Sequence, residues 1–216
     1  MKKHVLFDLD GTLTDSAGGV VNGVCYALDK MGDFDSDRTR LKTFVGPPLS
    51  ASFANLGYSN EKVELAIGYF REYYNPTGIF ENDVYDGVFE LLETLARMER
   101  TLILATCKPR PSAEQVLDMF KLKSYFSFVS ASEFDGTRAF KDEVIAYVLE
   151  TCEIDRAQAV MIGDHRHDIL GAKKYGLTSV GCVYGYGGRT DLEAAGADYL
   201  VNSVGELLKL FTDGAL

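Results

Sequence analysis

His4-Val5-Leu6-Phe7-Asp8-Leu9-Asp10-Gly11-Thr12-Leu13-Thr14 passes from a short apolar run directly into two carboxylates, a glycine and a hydroxyl. Val5, Leu6 and Phe7 have the pattern of a strand buried on both faces. Charge at the point where such a strand leaves the core is costly unless a cation or a substrate uses it. Asp8 and Asp10 are therefore the first candidates for chemistry.

The rest of the chain supplies a frame for that strand. From about Thr101 onward, strand and helix patterns alternate. Strands are expected at Thr101–Thr106, Phe126–Ser130, Ala159–Gly163, Thr178–Val183 and Tyr199–Val201. Helices are expected at Ser112–Leu122, Lys141–Cys152, from Arg166 to about Gly176, and at Val204–Phe211. This alternation predicts an α/β fold whose parallel sheet is covered on both faces. Between Asp15 and Asn82 the apolar spacing becomes helical, with Val63, Ile67 and Phe70 sharing a face. A helix-only block placed just after the first strand predicts a small inserted helical cap over residues 15–82, with the core formed by 1–14 and 83–216.

The 216 residues are 46% hydrophobic and 25% charged, as expected for a globular chain. A formal net charge of -10 without a basic stripe argues against a nucleic-acid partner. No apolar run approaches the ~20 residues of a membrane span, and the run after Lys2 and Lys3 ends too early for a signal peptide. Cys25, Cys107, Cys152 and Cys182 form no paired metal motif and read as reduced thiols. The expected setting is cytoplasmic; the oligomeric state is left open.

In an open parallel sheet, working residues collect beyond the carboxyl ends of the strands. Those ends carry Asp8 and Asp10, Thr106, and the run Gly163-Asp164-His165-Arg166-His167-Asp168, while Lys141 opens a neighbouring helix. Each suits phosphoryl transfer. Asp8 can act as a nucleophile, and Asp10 can protonate a leaving oxygen and later deprotonate water. Thr106 and backbone amides can hold phosphate oxygens, and Lys141 offers a compact positive charge. One lysine cannot offset a phosphate dianion facing three acids, so a hard cation such as Mg²⁺ is expected. Asp8 and Asp164 are the expected ligands, with the Asp10 carbonyl as a third, and Asp168 orients water or Lys141.

Other readings are weaker. Asp8 or Asp33 could open a calcium loop, but the required glycine and glutamate are missing at the sixth and twelfth positions. Asp33-Phe34-Asp35-Ser36-Asp37 reads instead as a loop that caps a helix. His165 and His167, two apart on a helix, should point away from each other and are poor transition-metal ligands. Gly185-Tyr186-Gly187-Gly188 reads as a loop near the site, not a dinucleotide signature. Tyr69, Phe70, Tyr73 and Tyr74 read as helix packing.

Asp8-Leu9-Asp10-Gly11-Thr12, Thr106, Lys141 and Gly163-Asp164 with Asp168 occur in the order shown by haloacid dehalogenase superfamily phosphatases, which the chain resembles along essentially its whole length. The resemblance implies a Rossmann-like core with a helical cap and a Mg²⁺-dependent phosphoric monoester hydrolase. It makes Asp8 the nucleophile, Asp10 the acid/base, and Asp8, Asp10 and Asp164 the metal set. Phe44-Val45-Gly46-Pro47-Pro48-Leu49 resembles the substrate loop of phosphoglycolate phosphatase-like members, so Gly46, Pro47 and Pro48, with basic residues such as Arg38, Arg40 or Lys42, are candidate substrate contacts. The implied substrate is a small phosphorylated metabolite such as phosphoglycolate or a nucleoside monophosphate (5′-nucleotidase activity). Dehalogenases lack the second acid, and mutases of this superfamily usually carry a histidine absent from Asp15-Ser16-Ala17-Gly18-Gly19. A β-phosphoglucomutase-like enzyme and a non-catalytic phosphometabolite sensor are the alternatives.

Overall fold

The computed structural model describes residues 2–35 and 37–216. The chain runs β1 (His4–Phe7), β2 (Thr14–Asp15), α1 (Ala17–Met31), α2 (Arg38–Leu41), α3 (Leu49–Ala54), α4 (Asn60–Tyr74), β3 (Asp83–Val84) and α5 (Val88–Arg97). It continues through β4 (Thr101–Pro109), α6 (Arg110–Met119), β5 (Phe128–Ser132), α7 (Lys141–Thr151) and β6 (Ala159–Gly163). The last elements are α8 (Arg166–Lys174), β7 (Thr178–Cys182), α9 (Arg189–Ala195), β8 (Tyr199–Val201) and α10 (Val204–Thr212).

Six strands form a parallel sheet in the order β5-β4-β1-β6-β7-β8. Counted by appearance in this sheet, that is the 3-2-1-4-5-6 order of a Rossmann-like doubly wound fold. The order reverses between β1 and β6, and a crevice opens there beyond their carboxyl ends.

Strand period explains why both faces are covered. Val5 and Phe7 of β1, Leu102 and Leu104 of β4, and Val160 and Ile162 of β6 enter one core. Leu6, Ile103, Ala105 and Met161 enter the other, with Val144, Ile145 and Val148 of α7 and Ala172 of α8. No face of the central strands is left for water, so their apolar runs are continuous instead of alternating.

The segment from α1 to α4 is helical, and its two principal helices, α1 and α4, pack on each other. A two-stranded antiparallel ribbon, β2 with β3, joins its entry to its exit through Thr14↔Val84 and Asp15↔Asp83. Asp37 caps α2 by accepting from the Thr39 and Arg40 amides at 3.1 and 3.0 Å; Ser36 of the same loop lies outside the described residues. The strand expected at Thr101–Thr106 extends to Pro109, which brings Lys108 into it.

Candidate active site

Asp8 follows β1 directly and stays in the sheet, its amide donating to the Ile162 carbonyl of β6 at 2.9 Å. Asp164 follows β6. The two acids thus leave the core on either side of the point where strand order reverses. Asp8, Asp164 and Asp168 are all buried, and one carboxylate oxygen from each lies within 4.8 Å of the others.

Lys141, the first residue of α7, supplies the cation among them. A lysine here opposes the helix dipole, yet only 5% of the residue is exposed. Its Nζ lies 2.8 Å from Asp8 Oδ1 and 2.8 Å from Asp168 Oδ1, and it donates to the Ala105 carbonyl at 2.9 Å. Burial pulls the ammonium pKa down, but Asp168 and Asp8 outweigh it and hold it above the ordinary lysine value. Asp168 also anchors the turn, accepting from the His165 amide through Oδ2 at 2.9 Å.

One ammonium among three carboxylates leaves two negative charges. Two such charges within 4.8 Å of each other repel by at least about 3.5 kcal/mol at an effective dielectric of ~20. Burial pushes the Asp8 carboxyl up to about 6, against the pull of Lys141 and with a further push from Asp168. Burial, then Asp168 and Asp8, raise Asp164 well above the carboxylate range. Asp164 is 1% exposed; its Oδ2 accepts from the Tyr186 amide at 2.7 Å, while Oδ1 has no hydrogen-bond partner among the described residues. An orphaned buried carboxylate oxygen in an all-oxygen donor set carrying two excess negative charges fits Mg²⁺.

Close approach of backbone around Asp164 depends on two glycines. Gly11 has φ +80, and a Cβ there would lie 2.2 Å from Asp164 Oδ2. A Cβ on Gly185 would lie 2.3 Å from Asp164 Cβ and 2.4 Å from the Gly11 carbonyl oxygen. Gly185→Ala is expected to displace the Asp164 carboxylate and destabilise the fold by roughly 1–3 kcal/mol. Thermal melts and metal titration of the variant check this; wild-type metal affinity would contradict it.

Asp10 faces elsewhere. Both of its carboxylate oxygens accept from Lys108 Nζ at 3.0 Å, and the same ammonium donates to Tyr74 Oη at 2.7 Å. Asp10 is therefore outside the cluster of three carboxylates. Burial lowers the Lys108 pKa, but Asp10 and Tyr74 raise it above the ordinary value. Thr106 is buried on β4, where its Oγ1 accepts from the Lys108 amide at 3.2 Å.

Gly46, Pro47 and Pro48 stand between two cavities and border both. One contains Asp10, Lys108 and Tyr74; the other contains Asp8, Lys141, Asp168 and both histidines. Arg40 reaches the second cavity but pairs with Asp35. Arg38 donates to Asn22 Oδ1 at 2.6 Å, and Lys42 borders neither cavity.

The histidine geometry differs from the sequence expectation. His165 is the extended N-cap of α8 (φ −113, ψ 151), not a helical residue, so its ring turns back over the first turn. It stacks on His167 with ring centroids 4.7 Å apart and accepts from the His167 amide at 3.4 Å. Burial lowers His165 to about 4 and also lowers His167. Tyr74 likewise does more than pack: it stacks on Phe70 at 5.0 Å while its hydroxyl reaches Lys108.

Sequence reasoning missed Lys108, and it read the Tyr186 loop as lying near the site without giving any of its residues a role. The signal for Lys108 was its position two residues after Thr106, which places both on one face of an extended strand. Tyr186 has no such local signal: its hydroxyl donates to Asp15 Oδ1 at 2.7 Å, 171 residues away in sequence, and Tyr184 donates to the Thr12 carbonyl at 2.9 Å, 172 residues away.

A doubly wound α/β fold with buried carboxylates at its strand-order reversal and a helical segment after the first strand defines a class of α/β proteins whose site lies beyond the carboxyl ends of the central strands. The model of the haloacid dehalogenase-like hydrolase family matches residues 5–182, and the chain belongs to that family. It is 39% identical over 192 residues to a 5′-nucleotidase of Pseudomonas aeruginosa, covering 88% of this chain and 87% of that one. The crystal structure of a predicted phosphatase from Clostridium acetobutylicum matches with a TM-score of 0.95 and 43% identity over 99% of each chain. The chain is also 35% identical over 183 residues to tyrosine-protein kinase PtkA of Mycobacterium tuberculosis, covering 85% of this chain and 62% of PtkA. Among the described residues, no helix is long and apolar enough to cross a membrane.

Proposed function

We propose that the protein is a Mg²⁺-dependent phosphatase that hydrolyses a small phosphomonoester through an aspartyl-phosphate on Asp8. Residues 15–82 form the cap in this reading, and 1–14 with 83–216 form the core. The observation that carries it is the meeting of Asp8, Asp164 and Asp168 around the buried Lys141. Family membership and the likeness to a 5′-nucleotidase support the reaction class. A cytoplasmic setting belongs to the same reading and agrees with four unpaired cysteines.

In the first step an Asp8 carboxylate oxygen attacks phosphorus, a P–O bond to Asp8 forms, and the bond to the leaving oxygen breaks. Asp10 gives that oxygen a proton. In the second step Asp10 takes a proton from water as the water oxygen attacks phosphorus, and the Asp8–phosphorus bond breaks to release phosphate. Lys141 holds Asp8 in position and offsets charge on the phosphoryl oxygens. Thr106 lies two residues beyond the Phe7↔Leu104 pairing, where its hydroxyl can hold a phosphoryl oxygen. Asp8, Asp164 and the Asp10 carbonyl would hold Mg²⁺, which supplies Lewis-acid neutralisation of the phosphate when bound.

Hydrolysis of 4-nitrophenyl phosphate by purified protein tests the reading. We expect activity with Mg²⁺, loss to background in excess chelator, and recovery when Mg²⁺ is restored. Full activity in chelator removes the metal from the reading, and no hydrolysis under any condition removes the phosphatase.

A further inference from the structure

In the phosphatase reading Asp10 protonates the leaving oxygen, which makes the cavity that Asp10 lines the compartment for the alcohol being released. Resting on the phosphatase reading, we infer that this compartment selects uncharged, ring-bearing alcohols such as a nucleoside and rejects alcohols that carry a carboxylate. Nucleoside monophosphates are then preferred over phosphoglycolate.

The first argument is the state of the cation at the floor. An ammonium has three donor hydrogens. Lys108 directs its donors to Asp10 Oδ1, Asp10 Oδ2 and Tyr74 Oη. It is 8% exposed as a residue and has nothing left for an incoming carboxylate. A carboxylate placed there would also face Asp10 itself.

The second argument is the walls. Val20, Leu49, Ile67 and Phe70 give the cavity an apolar lining, and its volume of about 250 Å³ exceeds what a two-carbon acid fills. Apolar walls around few polar groups are the usual make-up of sites for ring-bearing ligands. A small carboxylate there would lose hydration without gaining a partner.

The third argument is the mouth. Glu133 is neutralised by Arg110 and Arg138. Glu64 and Asp135 border the cavity as exposed carboxylates; among the described residues neither forms an ion pair, although Arg138 acts on Asp135 and Arg71 lines the same cavity. The Arg71 guanidinium lies 4.6 Å from the Phe134 ring centroid, across the gap between α4 and the loop after β5. Phe134 is 45% exposed, so part of its ring is open to a ligand at the entrance. The pair offers two flat faces at the cavity entrance, a surface that suits a planar ring.

The experiment measures kcat/KM with Mg²⁺ for 4-nitrophenyl phosphate, a nucleoside 5′-monophosphate and 2-phosphoglycolate. It uses the wild type, Glu64→Lys and Phe134→Ala. The wild type should favour the nucleotide over 2-phosphoglycolate by at least ~10-fold. Glu64→Lys should narrow that ratio by at least ~3-fold through attraction of the acid. Phe134→Ala should raise KM for the nucleotide several-fold while kcat changes by less than about twofold. Equal or better use of 2-phosphoglycolate by the wild type overturns the inference, as does a ratio that neither substitution moves. Failure to hydrolyse 4-nitrophenyl phosphate as well would instead overturn the phosphatase reading on which it rests.

Discussion

Asp8→Asn is expected to lower turnover by about 10⁴-fold or more, because it removes the nucleophile and not merely a contact to substrate. The same substitution should leave the metal-free fold intact and, at neutral pH, more stable. Asp8 stands at about 6 in the folded protein against 3.8 ordinarily. A group whose pKa is raised by folding contributes stability below its unfolded pKa and loses it as the pH rises through the folded value. Above about pH 6, metal-free wild type therefore keeps the ionised Asp8 at a net cost that asparagine does not carry. His165 works the other way: lowered from 6.5 to about 4, it contributes stability above pH 6.5 that is lost as the pH falls through about 4. The two windows overlap, so the melting curve of wild type alone does not isolate Asp8. The difference between Asp8→Asn and wild type does, because His165 is common to both. Melting temperatures without metal should favour the variant at pH 7.5, with the advantage shrinking toward pH 5. An advantage that grew toward acid would mean that Lys141, not burial, dominates Asp8.

The sheet was readable in the sequence because its central strands are buried on both faces, which forces uninterrupted apolar runs such as Ala159–Ile162. Termination of those runs by Asp8 and Asp164 marked the crevice for the same reason: a charge at the end of a buried strand needs a use. The helical insertion was readable from the change of period around Val63, Ile67 and Phe70. Side-chain direction past a cap residue was not. Helical spacing separates His165 from His167, but an extended N-cap brings their rings to 4.7 Å. The Lys108–Tyr74 contact joins residues 34 apart, and the Tyr186–Asp15 contact joins residues 171 apart. No local pattern encodes either, because each depends on how the helical segment is set down on the sheet. Lys108 lay hidden for a further reason: a lysine two residues after a strand threonine reads as a surface residue until Asp10 and Tyr74 are known to meet it.

Lys141→Met should cost both stability and turnover, and the response to metal separates the electrostatic part from the packing part. Methionine keeps the length and most of the volume of the lysine stem, so the change chiefly removes a charge. Asp8 and Asp168 each lose a partner at 2.8 Å, and the Ala105 carbonyl loses its donor. Removing one member of a buried ion pair typically destabilises by about 3–5 kcal/mol, because the remaining charge stays buried without compensation. Turnover should fall by roughly 10²–10³-fold, the usual loss when a preorganised charge beside the reacting phosphoryl group is deleted. A loss of stability alone would also follow from bad packing. With all three acids ionised, the state that would hold a dication, the excess negative charge rises from two to three among Asp8, Asp164 and Asp168, so the dication should stabilise this variant more than it stabilises wild type. In Asp8→Asn the excess falls to one, and the rise in melting temperature on adding Mg²⁺ should shrink. Opposite movements of the Mg²⁺-induced shift in two variants, each altering one charge, would tie the metal to these three carboxylates. Equal shifts in both would place the cation elsewhere, and with it the origin of the buried-acid cluster would need another explanation.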